Sequence, residues 1–128
     1  MLIKEGKMKP ETIKIDEVEY VRKDSVSKPA EKLDGMKYVI IRSYDAGCFA
    51  GYLSYKKERE VELKNARRLW YWSGAASLSQ LAMEGVSDGD NCKFPCEVKS
   101  IIINNVCEVI DTTEKARKSI AEVSIWTK

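Results

Sequence analysis

The sequence predicts an α+β domain in which an antiparallel sheet carries two short helices. Short segments rich in β-branched and aromatic residues recur along the chain, and turn residues separate them more often than helices do. This pattern is typical of antiparallel strands. Only two segments, at residues 75–85 and 111–120, space their apolar residues as a helix does. The predicted sheet either stays open or curls into a barrel-like form.

Residues 1–36 are predicted to form an N-terminal hairpin and linker, which precede a main α+β ligand-binding domain at residues 37–128. Apolar and polar residues alternate over residues 13–21 on both sides of an Asp-Glu pair, as in a small β-hairpin. Residues 22–35 combine many charges with serine, proline and glycine, a composition typical of a linker.

The main domain is predicted to begin with a meander of antiparallel strands. Residues 38–44 carry apolar side chains on both faces, which indicates an inner strand. A turn leads to a second strand at residues 48–54, and a charged loop at residues 56–60 leads to a half-exposed strand at residues 61–63. Residues 66–72 are predicted to continue the sheet.

The predicted strand at residues 66–72 has two chemically different faces, because side chains alternate along a strand. One face carries Arg68, Trp70 and Trp72, and the other carries Arg67, Leu69 and Tyr71. Only one of these faces can lie in the core. Ser73 and Gly74 end the strand, and Gly85 sits where the C-terminal cap of the following helix belongs.

The C-terminal part of the chain is predicted to add three strands and the second helix. Residues 86–95 form a loop, and strands follow at residues 98–103 and 106–110, joined by an Asn-Asn pair that forms either a tight turn or a bulge. A capping-box pattern at residues 111–114 starts the second helix, and residues 123–126 form the last strand.

Charge and hydropathy narrow the classes of function. The net charge is only +2, but residues 37–72 contain eight Lys and Arg against four Asp and Glu. This local excess suits a small phosphorylated ligand better than a long nucleic-acid track. The longest apolar runs are short and the N-terminus lacks the apolar core of a signal peptide, so we expect a cytoplasmic protein with no membrane partner.

The residue types available for catalysis argue against an enzyme. The chain has no histidine, which removes the commonest general base and the commonest nitrogen ligand of zinc. Cys92 and Cys96 are the one close cysteine pair, and a four-thiolate zinc site would have to recruit Cys48 and Cys107 as well. We therefore predict no catalytic residues, no metal site and no cofactor, and reduced cysteines in an intracellular protein.

The densest group of candidate binding residues lies between residues 65 and 82, which hold two of the three tryptophans. Indole rings stack on a purine, a guanidinium neutralises a phosphate, and free N–H groups at a helix start favour an anion. The predicted ligand-binding residues are Arg42, Arg67, Arg68, Trp70, Trp72, Ser73, Gly74 and Ser77. We expect Arg42 to reach a pocket or a subunit interface, because it lies mid-strand among apolar neighbours.

Each of these residues also has a purely structural interpretation. Tryptophans on a strand often pack in the core or against another subunit, and Ser73 or Ser77 can be the N-cap of the helix. If the tryptophan face is buried, Arg67 and Tyr71 take over the predicted binding role.

Two segments resemble proteins of tailed phages. Residues 15–26 are similar to an N-terminal motif of small tailed-phage proteins. Residues 66–82, followed by Cys92-Lys93-Phe94, are similar to an uncharacterised domain family of tailed phages and prophages. The second resemblance extends over about residues 37–128. Because that family has no settled function, the resemblance implies an origin and no particular activity.

The phage resemblance implies a class of function that the basic, aromatic segment fits. Small phage proteins include sponges, which sequester cyclic nucleotides or cyclic ADP-ribose derivatives made by bacterial immune enzymes and do not cleave them. We therefore expect a phage-encoded, non-enzymatic binding protein of the host cytoplasm that binds a small nucleotide-like ligand as a homo-oligomer. The alternatives are a single-stranded nucleic-acid-binding protein and a structural or host-protein interaction module anchored by Trp70 and Trp72.

Overall fold

Within residues 28–127, which the computed structural model describes, the fold is α+β: five antiparallel strands form one sheet that packs against two helices. The predicted fold class is confirmed. The elements are β1 (Tyr38–Ser43), β2 (Gly47–Lys57), β3 (Glu60–Arg68), α1 (Leu78–Glu84), β4 (Val98–Ile103), β5 (Val106–Asp111) and α2 (Glu114–Glu122). A short 3-10 turn covers Gly89–Asn91. The hairpin predicted at residues 13–21 lies outside the described residues.

The segment before β1 is attached to the start of α2. The amide of Ala30 donates to the carbonyl of Thr112 at 3.1 Å, and the amide of Glu114 donates to the carbonyl of Lys28 at 2.9 Å. Pro29 forms a bridge with Thr113, so residues 28–30 run antiparallel to the turn that precedes α2. These residues therefore belong to the packed structure, and the predicted boundary at residues 36/37 stays a prediction.

The sheet has the order β4-β3-β2-β1-β5, which places two consecutive strands on opposite edges. Only Asn104 and Asn105 connect β4 to β5, yet β4 pairs with β3 and β5 pairs with β1. The crossing is possible because the sheet is curled. The amide of Val106 donates to the carbonyl of Arg59 at 3.0 Å, so the β2–β3 turn reaches the beginning of β5. No ladder joins β4 to β5 among the described strands, so the sheet is not a closed barrel.

Irregularities in the two longest strands produce the curl. The register between β2 and β3 shifts on both sides of residues 52–53. Asn65 of β3 has a φ of 49°, in the left-handed region. Gly51 faces this irregularity, and a Cβ there would lie 3.0 Å from the Cα of Ala66. β-bulges of this kind bend a strand and increase its twist, which lets an 11-residue strand wrap around the core.

The core consists of two clusters, one on each face of the sheet. Val39 and Ile41 of β1 point into one of them, called here the inner cluster, whereas Tyr38 and Ile40 point into the other, called the outer cluster. Because β1 is buried on both faces, the prediction of an inner strand is confirmed. The inner cluster is made of strand residues: Val39, Ile41, Phe49, Val61, Leu63, Ala66, Ile103 and Val106. The outer cluster lies between the sheet and the helices and includes Tyr38, Ile40, Leu69, Leu81, Phe94 and Ile120.

Both helices begin at side-chain caps. The Ser77 hydroxyl accepts from the amide of Gln80 at 3.1 Å, and the Thr113 hydroxyl accepts from the amide of Ala116 at 3.1 Å. Gly85 ends α1 with a φ of 79°, as predicted, and its lack of a Cβ leaves room for Ser119 of α2. The first helix is shorter than predicted, because it begins at Leu78.

The bounds of the predicted charged loop and one predicted strand are also wrong. The charged loop predicted at residues 56–60 is a tight turn, since β2 continues to Lys57 and β3 starts at Glu60. Residues 123–126 do not form a strand of the sheet; Ile125 makes an isolated parallel bridge with Phe94 instead. Within residues 28–127 the helices are too short, or too polar, to cross a membrane.

Candidate functional site

The strand predicted at residues 66–72 ends at Arg68. After Leu69, the chain leaves β2 and pairs with a distant segment: the amides of Trp70 and Tyr71 both donate to the carbonyl of Lys93, at 3.1 and 3.3 Å. The alternation that would place three of these residues on one strand face therefore stops at Arg68. The side chains of the segment are therefore positioned by two different neighbours, β2 up to Leu69 and Lys93 after it.

Arg67 is buried and its hydrogen bonds are structural. It is 6% exposed, and its guanidinium donates to four backbone carbonyls. These belong to Pro95 at 2.9 Å, Phe94 at 3.0 Å, Ile120 at 2.8 Å and Val123 at 2.6 Å. Carbonyls at the end of a helix carry partial negative charge and lack partners within the helix. Arg67 thus connects the end of α2 to β3, and its four hydrogen-bond partners are carbonyl groups rather than a carboxylate.

Arg68 faces the inner cluster. Its guanidinium carbon lies 4.4 Å from the centroid of the Phe49 ring, and Nη1 donates to the carbonyl of Ala46 at 2.7 Å. Trp72, by contrast, is half-buried against the outer cluster. The structure therefore does not bring Arg68 and Trp72 together as one binding face.

Ser73 and Gly74 of the predicted turn make hydrogen bonds to the loop at residues 87–88. The Ser73 hydroxyl donates to Oδ2 of Asp88 at 2.9 Å, and the carbonyl of Gly74 accepts from the amide of Ser87 at 3.2 Å. Gly74 has a φ of 91°, and a Cβ there would lie 2.5 Å from the amide nitrogen of Asp88. Ser77 is the N-cap of α1, as its structural interpretation predicts. These three residues are engaged by the protein itself.

Arg42 lies on the exposed part of β1 and pairs with Glu108 of β5. Its Nε is 3.1 Å from Oε1 of that carboxylate. The hydrogen bond to Glu108 is the main reason that the pKa of Arg42 is raised. Arg42 is therefore exposed, unlike the buried Arg67, and its predicted place in a pocket or a subunit interface stays a prediction.

Three residues from separate segments form an exposed aromatic–lysine surface, defined here as Tyr71, Lys93 and Trp126. The Nζ of Lys93 lies 5.8 Å from the centroid of the Tyr71 ring and 5.7 Å from that of Trp126. Tyr71 is 52% exposed and Trp126 is 42% exposed. The two rings can stack on a ligand, and the ammonium between them can contact a negative charge of the same ligand.

Backbone bridges hold this surface in place. Tyr71 pairs with Lys93, and the amide of Lys93 donates to the carbonyl of Tyr71 at 2.7 Å. The amide of Trp126 donates to the carbonyl of Phe94 at 3.0 Å. The buried side chains of Cys92 and Phe94 anchor the middle segment, so alternation turns Lys93 outward. Trp70, next to Tyr71 in the chain, is 63% exposed.

Sequence reasoning names Tyr71 as a conditional binding residue and misses Lys93 and Trp126. A local signal exists for Lys93, because it stands between two apolar residues that predict burial on both sides. Trp126 offers no comparable signal. It joins the surface through the bridge between Ile125 and Phe94, residues more than 30 positions apart.

The described residues contain no group of three or more His, Cys, Asp or Glu side chains arranged to hold a metal ion. All four cysteines are free. The Sγ of Cys92 is buried and lies 3.6 Å from the carbonyl of Ser73 and 3.5 Å from that of Asp88. Burial raises the pKa of Cys48, which disfavours its thiolate.

No curated protein and no solved structure significantly matches the chain. One family model does match, over residues 36–120, which is more than half of the chain. The matched region runs from just before β1 into α2, so it includes Tyr71 and Lys93 and ends before Trp126. The chain belongs to the family described as Domain of unknown function (DUF6948).

Proposed function

We propose that this protein is a non-enzymatic binding protein that captures a small nucleotide-like ligand on the aromatic–lysine surface. The supporting observation is the position of the Lys93 ammonium within 6 Å of two exposed rings, Tyr71 and Trp126. A base stacks on either ring with a gain of about 1–3 kcal/mol. The phosphate of the same ligand meets the ammonium, a compact charge with three rotatable donors.

The arrangement of the cations favours a small ligand over a long nucleic acid. Arg67 is engaged by four carbonyls and Arg68 by a carbonyl and a ring. Lys93 is the cation that lies over Tyr71 and Trp126 among the described residues. One cation neutralises one phosphate, whereas a tight non-specific track requires many such contacts.

We further propose that the protein is phage-encoded and acts in the host cytoplasm, where it sequesters a nucleotide-derived signal of bacterial immunity. This proposal rests on the resemblance of residues 66–82 to phage and prophage proteins and on the ligand chemistry above. A second copy placed over the open surface would enclose the ligand, which is why the proposal includes a homo-oligomer.

A single-stranded nucleic-acid-binding protein is the second candidate, and the openness of the surface favours it. Trp70, Tyr71 and Trp126 are exposed to between 42% and 63%, and flat exposed rings can stack on successive bases of one strand. Such binding does not require a second subunit to close the site.

Calorimetric titration with a panel of cyclic nucleotides and ADP-ribose derivatives tests the first proposal. We expect saturable binding by the natural sequence and an affinity about tenfold lower in Tyr71→Ala or Trp126→Ala, because each substitution removes one stacking face. Tyr44→Ala is the matched control, since Tyr44 is an exposed tyrosine, 73% accessible, near Arg59 rather than Lys93. An absence of heat with every ligand, or equal affinities in all variants, would contradict the proposal.

Salt dependence separates the two candidates. The affinity for a small ligand that contacts one lysine should change little between low and physiological salt. The affinity for an oligonucleotide should fall log-linearly with a slope of about −0.7 per neutralised phosphate. A steep slope with oligothymidine, combined with no binding of mononucleotides, would favour the second candidate.

A further inference from the structure

A small polar pocket lies on the helix side of the sheet, and none of the three residues of the aromatic–lysine surface lines it. Its volume is about 230 Å³. Five polar side chains line it: Tyr38 of β1, Tyr52 of β2, Arg67 of β3, Arg117 of α2, and Glu97, which precedes β4. Ligand pockets for drug-sized molecules usually measure about 300–1,000 Å³, so this pocket suits a small ion or one functional group of a larger molecule.

Tyr38 places a buried hydroxyl in this pocket, with no hydrogen-bond partner among residues 28–127. The residue is 8% exposed, and its ring packs edge-to-face against Tyr52 with centroids 5.0 Å apart. Within residues 28–127 the Tyr38 hydroxyl makes no hydrogen bond, although the backbone carbonyl of the same residue accepts one from Thr112. Burial, above all, raises the pKa of Tyr38, so the hydroxyl remains a protonated donor at neutral pH. Buried hydroxyls are almost always paired, so a ligand that brings an acceptor within reach of this hydroxyl would be bound favourably.

The charges around the hydroxyl indicate what that acceptor is. Arg67 carries a buried positive charge whose four partners are all neutral carbonyls, and five N–H groups minus four bonds leave one donor. Arg117 is held by Glu114, with Nε–Oε1 at 2.9 Å and Nη2–Oε2 at 2.5 Å. Glu97 lies exposed at the pocket and makes no ion pair within 4.0 Å among the described residues.

We propose that this pocket binds a small oxyanion, a phosphate or carboxylate group, through the Tyr38 hydroxyl and the remaining N–H of Arg67. An oxyanion supplies an acceptor for Tyr38 and a negative charge in direct contact with Arg67, which makes no ion pair within 4.0 Å among the described residues. Hydrogen bonds between charged partners are the stronger kind, which favours an anion over a neutral carbonyl compound. The proposal does not depend on the stacking surface, because the two sites share no residue.

An NMR titration of the isotopically labelled protein with inorganic phosphate, and separately with acetate at equal ionic strength, tests the pocket. We expect saturable shifts of the amides around Tyr38, Tyr52 and Arg117 with at least one of the two anions. Saturation with phosphate alone identifies a phosphate group as the ligand chemistry, and saturation with acetate identifies a carboxylate. Tyr38→Phe should weaken the binding at least about tenfold, because it removes a hydrogen bond to a charged group.

Tyr44→Phe is the matched control, because it removes an exposed hydroxyl outside the pocket and should leave the titration unchanged. Tyr38→Phe keeps the ring, so its thermal midpoint without anion should equal or exceed that of the natural sequence. Tyr52→Phe gives a second test at a less buried position and should also weaken the binding. No saturable shift with either anion, or unchanged binding in both pocket variants, would overturn the proposal.

Discussion

At the scale of single residues, the same side chain can fit a ligand site or a structural site, and only its surroundings decide. The sequence pattern around Arg67 and Arg68 predicts that both side chains bind an anionic ligand. In the structure, carbonyl groups from two separate segments, residues 94–95 and the end of α2, surround Arg67. No local pattern could reveal this, because Phe94 and Ile120 lie 27 and 53 residues away in the chain. The cap at Ser77 depends on residues three positions apart and was predictable.

The first prediction concerns Arg67 as a structural residue. Arg67→Met should lower the free energy of unfolding by about 2 kcal/mol or more. The carbonyls of Phe94 and Ile120 keep backbone donors, but those of Pro95 and Val123 lose the one donor they have among the described residues, at roughly 1–3 kcal/mol for each buried carbonyl left without a partner. Urea denaturation at neutral pH measures the change. Arg42→Met, which alters an exposed pair with Glu108, is the control and should stay close to the natural sequence. Equal stability in the two variants would show that the buried hydrogen bonds of Arg67 contribute nothing.

The stability of the fold should depend on pH through the Glu114 carboxylate. The Glu114 carboxylate accepts from Arg117 and from the amide of Glu31, and these bonds lower its pKa from 4.5 to about 2. Because the pKa is lower in the folded state, the stabilisation is present above about pH 4.5 and is lost as the pH falls toward 2. Urea midpoints between these limits should fall more steeply for the natural sequence than for Glu114→Gln. Parallel curves would contradict the pairing.

At the scale of elements, the strands with local signals were predicted, and those shaped by distant partners were not. The β-branched runs of β1, β4 and β5 lie close to their predicted ranges. The strand at residues 66–72 was predicted too long, because its second half pairs with Lys93 and not with β2. The pairing of Tyr71 with Lys93 in place of β2 also brings two residues of the aromatic–lysine surface together. The candidate site is thus visible in the sequence only in part, through Tyr71.

The third prediction separates backbone strain from steric contact at the end of α1. Gly85 and Gly47 both have positive φ values, 79° and 90°, but a Cβ at Gly85 would collide with Ser119, whereas one at Gly47 meets no atom within 4 Å. Gly47→Ala should therefore cost about 1–2 kcal/mol from strain alone. Gly85→Ala should cost roughly 1–3 kcal/mol more, because it also pushes α1 away from α2. Equal thermal midpoints for the two variants would contradict this packing.

At the scale of the whole molecule, the strand order could not be predicted. Adjacent strands joined by two residues normally predict a hairpin, yet β4 and β5 lie on opposite edges. The register shifts of β2 curl the sheet and bring its ends together, which allows the Asn104–Asn105 connection to cross. Core clusters cover both faces of the sheet, and residues 70–71, 93 and 126 lie outside both clusters and are exposed to solvent.

The fourth prediction is the assembly that the proposed function requires. Exposed aromatic groups such as Trp70 and Trp126 favour association, so native mass spectrometry should detect a homo-oligomer at micromolar concentration. Trp70→Ala should shift the population toward the monomer, while Tyr44→Ala should not. A monomer at every concentration, with full ligand affinity, would contradict a ligand site enclosed between subunits.

The most direct test of the central claim is to locate the bound ligand. We propose an NMR titration of the isotopically labelled protein with the nucleotide-like ligand that binds most tightly in calorimetry. Ring-current shifts should concentrate on the Tyr71 ring, the Lys93 side chain and the Trp126 indole, and the affinity should fall in Lys93→Gln. Shifts centred on Tyr38 and Tyr52, with the three surface residues unchanged, would contradict the claim that this surface is the nucleotide site.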